Sequence, residues 1–312
     1  MQKPIRIVTH SGTFHADELL ATATLEIFFN GAPYEVIRSR DPEVVKTGDY
    51  VLDVGFVYDH ASHRYDHHQA GGAGARGNGV PYSSFGLVWK HFGTEICGSQ
   101  EVADAIDRRL VQPIDMADNM IEVYKPTSHV HPYILHNIVM AFRPTWKEGE
   151  SYDTHFKEMV IFLKQLLERE IKTEQDNQEG AALVERIYEK AEDKRLIVLD
   201  GQYPWHNVLA GHPEPLYVVK PKHQSTQWEI ECVRTDTLSF GNRKALPAAW
   251  AGLNDGKLIV ATGVPDAVFC HNQRYVAVAE TKEGVLKLAE LALHAPQERA
   301  PYAEQLSQMK VS

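Results

Sequence analysis

The sequence predicts an α/β protein. It expects a mainly parallel sheet flanked by helices, then long connecting helices, then a smaller C-terminal α+β domain. Three observations carry this. Short apolar runs alternate with amphipathic stretches over residues 1 to about 140, as they do in βαβ units. Residues 152–192 repeat apolar side chains at helical spacing among abundant Glu and Lys. From residue 196 strand-like runs return and end in one amphipathic helix.

"IRIVTH" reads as a strand and "DELLATATLEIFF" as the helix after it, with Asp17 where an N-terminal cap belongs. "YEVIRSR" and "DYVLDVG" read as two more strands, the second followed by a histidine-rich turn, "YDHASHRYDHHQ". "YSSFGLVWKHFG" and "QEVADAIDRRLVQPIDMADNMI" read as helices. The 152–192 stretch reads as long helix interrupted near Gly180, with Phe156, Phe162 and Tyr188 in the core. Its apolar face would serve a homodimer or the core between lobes. "RLIVLD", "PLYVVKP", "QWEIECVR", "AVFCH" and "YVAVAE" read as strands, and "TKEGVLKLAELALHA" as the last helix. The expected division is 1–150, 151–195 and 196–312.

The chain has 312 residues, 43% apolar and 24% charged, an ordinary globular composition. Cys97, Cys232 and Cys270 form no CxxC pair and read as reduced core thiols. No basic-then-apolar leader precedes "IRIV", and no apolar run approaches the roughly 20 residues of a membrane span, so a cytoplasmic protein without membrane contact is expected. The net charge of −10 argues against general attraction to long duplex nucleic acid. The tract "AGGAGARGNG" holds a GxGxxG match at Gly72, Gly74 and Gly77, but it follows "DHHQ" and runs into Val80-Pro81 rather than joining a strand to a helix. It reads as a loop beside a site, with Arg76 available for an anionic substrate.

Sixteen histidines are many for this length, and they cluster at 10–15, 60–68 and 129–136. Imidazoles and carboxylates recur where strands end or helices begin: His10, His15, Asp17 and then Glu18; Asp53 in "VLDVG"; Asp66-His67-His68; and Asp115 with Asp118 in "PIDMADN". No cysteine joins them, so the set suits Mn²⁺, Mg²⁺ or Fe²⁺ better than a thiolate zinc site. Converging carboxylates repel one another, and divalent cations remove that repulsion. Two ions about 3.5–4 Å apart, bridged by a carboxylate and a water, form a hydrolytic unit. Asp53 is the central candidate for the bridge. Taken singly, a strand-end His is structural and Asp17 is a cap; the combination favours metal.

These motifs resemble the DHH phosphoesterase superfamily, which includes RecJ-type exonucleases, nanoRNA and cyclic dinucleotide phosphodiesterases and manganese pyrophosphatases. More closely, the chain resembles the melanocyte-proliferating-gene (MYG) family of predicted exonucleases. The stretches that carry the likeness include "THSGTFHADE", "VIRSRDP", "VLDVGFVYDHASHRYDHHQ", "IDMADN", "RPTW", "YPWHNVL", "SFGNRKALPAAWAGL" and "GVPDAVFCHNQRYVAVAETKEGVLKLA". The resemblance implies a DHH-type N-terminal domain that holds two manganese ions. His10, His15 and Asp53 would hold the first; Asp17, Asp53, His67 and a later Asp the second. The later Asp is Asp115 or Asp118, with Asp115 preferred. His68 would face the substrate phosphate as hydrogen-bond donor or general acid, and Asp66 would orient the His67-His68 pair as an acceptor. Arg40, Arg243, His271 and Lys282 would bind phosphate or a terminal nucleotide. Three features depart from the pattern: His15 stands where the broad superfamily carries Asp, although the close family shares it; Ala277-Val278-Ala279-Glu280 stands where the close family carries a Gly pair; and the wider superfamily's GGGH motif is absent.

The expected activity is a metal-dependent phosphodiesterase trimming RNA or short oligonucleotides from the 3′ end, with the strand held between domains. The alternative is a small-molecule phosphohydrolase, pyrophosphatase-like or acting on cyclic or other dinucleotides. A vestigial site in a binding protein is the third reading, and the intact ligand set argues against it.

Overall fold

The structure is a computed structural model that describes residues 3–125, 129, 131–149, 152–236 and 241–297. Ser239 and Phe240 of the "SFGNRK" stretch and the C-terminal residues 298–312 lie outside the described residues. The fold is mixed α/β, with two five-stranded mixed sheets flanked by helices. The chain forms two compact units, Met1–Gln175 and Asp176–Ser312. Among the described residues no helix is long and apolar enough to cross a membrane.

In the first unit the elements run β1 (Ile5–Thr9), α1 (Ala16–Phe29), β2 (Tyr34–Arg38), α2 (Pro42–Val45), β3 (Tyr50–Leu52), β4 (Tyr58–Asp59) and β5 (Arg64–Tyr65). Helices α3 (Ser84–Cys97), α4 (Gln100–Ile106), α5 (Gln112–Asp118), α6 (Leu135–Ala141) and α7 (Tyr152–Lys190) follow, the residues of α7 beyond Gln175 belonging to the second unit. A π-helical stretch, Asp107–Val111, joins α4 to α5. The sheet order is β2-β1-β3-β5-β4; all pairings are parallel except the β4 edge. Thr9, Leu52 and Tyr65 stand side by side across β1, β3 and β5. The next residues of those three strands, His10, Asp53 and Asp66, therefore leave the sheet along one edge.

Helix α1 is buried through its first ten residues and packs on α3. Its N-cap is His15, not Asp17: His15 is extended, and the Glu18 carboxylate accepts its N–H at 2.8 Å. Asp17 is thereby placed inside the first turn. Phe14, fully buried, meets Phe156 edge-on at 6.0 Å and pins the loop before α1. Its carbonyl accepts a hydrogen bond from Arg143 Nε at 2.7 Å.

Helix α7 is continuous over 39 residues, so the expected break at Gly180 does not occur. The glycine instead makes room: a Cβ there would lie 2.4 Å from the Pro204 ring. Phe156 and Tyr188 are buried as expected, whereas Phe162 is half-exposed and stacks on Phe142.

In the second unit β6 (Leu196–Val198), α8 (Trp205–Gly211), β7 (Tyr217–Pro221), β8 (Trp228–Cys232), α9 (Asp255–Thr262), β9 (Ala267–Cys270), β10 (Val276–Ala279) and α10 (Lys282–His294) follow in order. The sheet order is β6-β7-β8-β10-β9, parallel only at β6–β7. Val285, Leu288 and Ala292 of α10 join Tyr217, Ile230 and Ala277 in its core.

Candidate metal centre

Three strand ends and two helix ends meet in the first unit. His10 follows β1, Asp53 follows β3, and Asp66, His67 and His68 follow β5. The start of α1 brings His15, Asp17 and Glu18, and the last residue of α5 is Asp118. Asp53 adopts a left-handed backbone, φ +54°, which turns the chain at the strand end. Asp is among the few residues that tolerate this region.

The donor atoms converge. His10 Nε2 lies 3.0 Å from Glu18 Oε1 and 3.3 Å from Asp53 Oδ2. His67 Nε2 lies 3.3 Å from Asp53 Oδ1 and 2.9 Å from Asp118 Oδ2. None of these approaches gives either ring nitrogen a hydrogen bond, and both carboxylate oxygens of Asp17 are buried without a partner. Buried polar atoms are almost always satisfied, so several unsatisfied ones together need a reason. Three groups of side chains could each hold a metal ion: His10, His15, Glu18 and Asp53; Asp53, His67 and His68; and His15, Asp17 and Asp118. Asp53 belongs to two of the groups, as does His15. The donors are all imidazole nitrogen and carboxylate oxygen, a set suited to hard or borderline divalent cations. The side chains fit such ions.

Electrostatics agree with this. Burial and the neighbouring charges of Asp53 and Asp118 hold the Asp17 carboxyl well above its usual range. Burial alone would lower the His10 pKa, but Asp53 and Glu18 outweigh it and push it up to about 10. His67, likewise buried, is pushed up to about 10 by Asp118 and Asp53. Asp53 is held below the usual carboxylate range: burial opposes this, and His10 and His67 overcome it. A cation must displace protons from these imidazoles before they can ligate. Apparent Mn²⁺ affinity should therefore rise with pH, and binding should release protons. Calorimetry in buffers of different ionisation enthalpy measures both; an affinity constant between about pH 6 and 9 would contradict the assignment.

Asp66 does not reach His67. Its Oδ1 accepts from the His68 N–H at 3.0 Å and lies 2.8 Å from His68 Nδ1, and its Oδ2 accepts from the Phe56 N–H at 2.6 Å. His68 is half-exposed and lines a cavity of about 490 Å³ that also includes His10, Asp17, Asp53 and Asp118. Arg40 lines the same cavity, and its Nε donates to the Ser11 carbonyl at 3.4 Å.

Asp115, preferred from the sequence, belongs to none of the three candidate groups among the described residues. Asp115 is fully buried beneath α3, where it accepts from Ser83 Oγ at 2.6 Å and the Gly86 N–H at 3.0 Å. Arg76 closes the network at 2.7 Å. A Cβ on Gly86 would sit 1.9 Å from Asp115 Oδ2, so the glycine is what lets the carboxylate lie there. Asp118 takes the position beside His67. Arg76, read from the sequence as available to a substrate, has its guanidinium bound by Asp107 and Asp115 and covered by Tyr82.

The second unit holds the remaining candidates. Arg243 donates to the carbonyls of Pro215 at 3.1 Å and Ala210 at 2.6 Å. His271 Nδ1 accepts from the Gln273 N–H at 3.0 Å. Lys282 Nζ stands 5.1 Å over the Trp228 ring. His271 pairs with Val276 at the start of β10, while Lys282 follows the end of that strand, so the two flank opposite ends of it. Ala277, Val278 and Ala279 lie in β10, and Glu280 accepts from Gln227 at 2.9 Å.

A family model, MYG1_exonuc, described as Uncharacterised protein family (UPF0160), matches residues 6–293. The chain belongs to this MYG1 family. MYG1 exonuclease of Homo sapiens is 29% identical over 326 residues, which cover 94% of this chain and 87% of that protein. MYG1 exonuclease of Mus musculus is 30% identical, with 94% and 86% covered. MYG1 protein C694.04c of Schizosaccharomyces pombe is 29% identical and covered over its whole length.

Three residues of this MYG1 family member stand at the cluster or its cavity without having been assigned a role there from the sequence. Glu18 is fully buried against His10, and its spacing three residues after His15, a capping-box interval, was the available signal. Arg143 and His136 line the same cavity. They lie in histidine- and arginine-bearing segments of the sequence, but nothing local ties them to residues more than a hundred positions earlier.

Proposed function

We propose that this protein is a metal-dependent phosphodiesterase that shortens RNA or short oligonucleotides from the 3′ end. One observation carries the reading: the two oxygens of Asp17 are buried without partners among the carboxylates of Asp53, Asp118 and Glu18 and beside His15, which is costly unless cations are bound. The exonuclease name of the human and mouse relatives supports a nucleic-acid substrate.

Two divalent ions, Mn²⁺ first and Mg²⁺ or Fe²⁺ as alternatives, would be held by His10, His15, Asp17, Asp53, His67 and Asp118, with Glu18 beside them, as in a DHH-type site. Such ions supply Lewis acidity toward a phosphate and bring the pKa of water toward neutrality. The rest falls to the chain's own side chains. Asp53, central to the cluster, aligns the two halves of the ligand set. Asp66 fixes the His68 ring through Nδ1, leaving Nε2 to face the cavity as a donor to the phosphate or to the leaving oxygen. The His68 pKa is raised, chiefly by Asp66, which keeps a proton available for that step. Arg40 and Arg143 add positive charge at the cavity wall, where a phosphodiester would be drawn in.

Purified protein with Mn²⁺ should convert 5′-labelled oligoribonucleotides into a ladder shortened from the 3′ end. Parallel reactions with pyrophosphate and cyclic dinucleotides separate this from small-molecule hydrolysis. Failure to cleave any phosphodiester with Mn²⁺, Mg²⁺ or Fe²⁺ would overturn the proposal, and pyrophosphate as the sole substrate would replace it with the small-molecule reading.

A further inference from the structure

Phe56 stands out at the rim of the cavity. It is 69% exposed although it is large and apolar, and its backbone is left-handed, φ +58°. Bulky side chains rarely occupy that region, and such outliers gather at functional sites. Its neighbours explain how it is held there. Gly55 before it has φ +100°, Asp53 has φ +54°, and the Phe56 N–H is bound by Asp66 Oδ2 at 2.6 Å. The other oxygen of that carboxylate holds His68. One buried acid thus holds both the His68 imidazole and the backbone that carries the exposed aromatic ring.

The rim continues the pattern. Met120 is 92% exposed with φ +60°, and Met140 is 44% exposed; both line the same cavity as Phe56. Thioethers are polarizable and adapt to flat aromatic surfaces. Arg40 and Arg143 border the same space. An apolar, partly aromatic rim beside cations and an acidic metal-ligand cluster matches a ligand with a flat ring at one end and a phosphate at the other.

We propose that Phe56, which shares the cavity lining with Met120 and Met140, is the stacking platform for the nucleobase of the nucleotide whose phosphate enters the Asp53–His67 cluster. This deepens the phosphodiesterase reading and rests on it. Stacking tolerates any base because every base has a π face. The platform would therefore set affinity for the terminal nucleotide without choosing its sequence. Because Asp66 ties ring and imidazole together, base position and phosphate position are set by the same carboxylate.

The test compares adenosine 5′-monophosphate with ribose 5-phosphate, which keeps sugar and phosphate and lacks the base. Binding to the Mn²⁺-loaded protein is read by calorimetry. The native protein should bind the nucleotide at least about tenfold more tightly than the sugar phosphate. Phe56→Ala should remove that preference and leave ribose 5-phosphate binding, Mn²⁺ binding and the melting temperature unchanged. Phe56→Tyr should keep it. Equal binding of the two ligands by the native protein, binding of neither, or a preference that survives Phe56→Ala would overturn the platform. The phosphodiesterase reading fails separately, on the absence of oligonucleotide cleavage by the native protein, so the two failures are told apart.

Discussion

Asp53→Asn should lower Mn²⁺-dependent hydrolysis about a thousandfold, some 4 kcal/mol of barrier, while the protein stays folded. Asp53 lies within reach of both His10 and His67 and belongs to two of the three groups that could hold a cation. An amide keeps the size of the carboxylate and removes its charge. Asparagine also tolerates the left-handed backbone at this position, and the hydrogen bond from the Asp53 N–H to the Tyr65 carbonyl needs no side chain. Alanine would add backbone strain to the loss of charge, so Asn is the cleaner substitution. Mn²⁺ titration should show weakened binding, and the rise in melting temperature that Mn²⁺ gives the native protein should shrink with it. Retention of more than about a tenth of the activity would remove Asp53 from the centre of the site.

The second large effect is on stability. Asp115→Ala should cost about 3–5 kcal/mol because it leaves a buried guanidinium and a buried hydroxyl without their carboxylate. At about 2–4 °C per kcal/mol for a unit of this size, the melting temperature should fall by roughly 6–20 °C. Asp107 remains as a partner for Arg76, which favours the lower part of that range. Asp118→Asn should behave in the opposite way, with weaker Mn²⁺ binding and a small change in melting temperature. The contrast separates two acids three residues apart on one short helix. Weakened Mn²⁺ binding with unchanged stability in the Asp115 variant would reverse the assignment.

Much of this molecule is readable from its apolar patterning. The runs at "IRIVTH", "YEVIRSR" and "DYVLDVG" are β1, β2 and β3, and the strands from residue 196 onward were all visible as apolar runs. His10 and Asp53 can be singled out because they end such runs, where open α/β sheets collect functional groups, and His67 because it stands in the Asp66-His67-His68 run. What stayed hidden has non-local causes. Asp115 and Asp118 share one helix and one residue type; Gly86 and Arg76, on other elements, decide which one faces the cluster. Gly180 reads as a helix break until Pro204 is seen packed against it. Asp17 reads as a cap because acids favour that place, yet the extended backbone at His15 moves the helix start forward. The two-residue strands β4 and β5 and the seven- and eight-residue helices α8 and α9 are too short for a periodic signal to emerge.

The lateral alignment of Thr9, Leu52 and Tyr65 has a corollary for chain length. Since the next residue on each strand supplies His10, Asp53 or Asp66, the backbone ladder acts as a ruler for the chemistry. Losing a single residue inside one of these strands would carry its acid or imidazole about 3.3 Å along the sheet and onto the opposite face. Surface turns can therefore be lengthened or trimmed at modest cost, whereas a change of length within β1, β3 or β5 would misplace the side chains of the cluster.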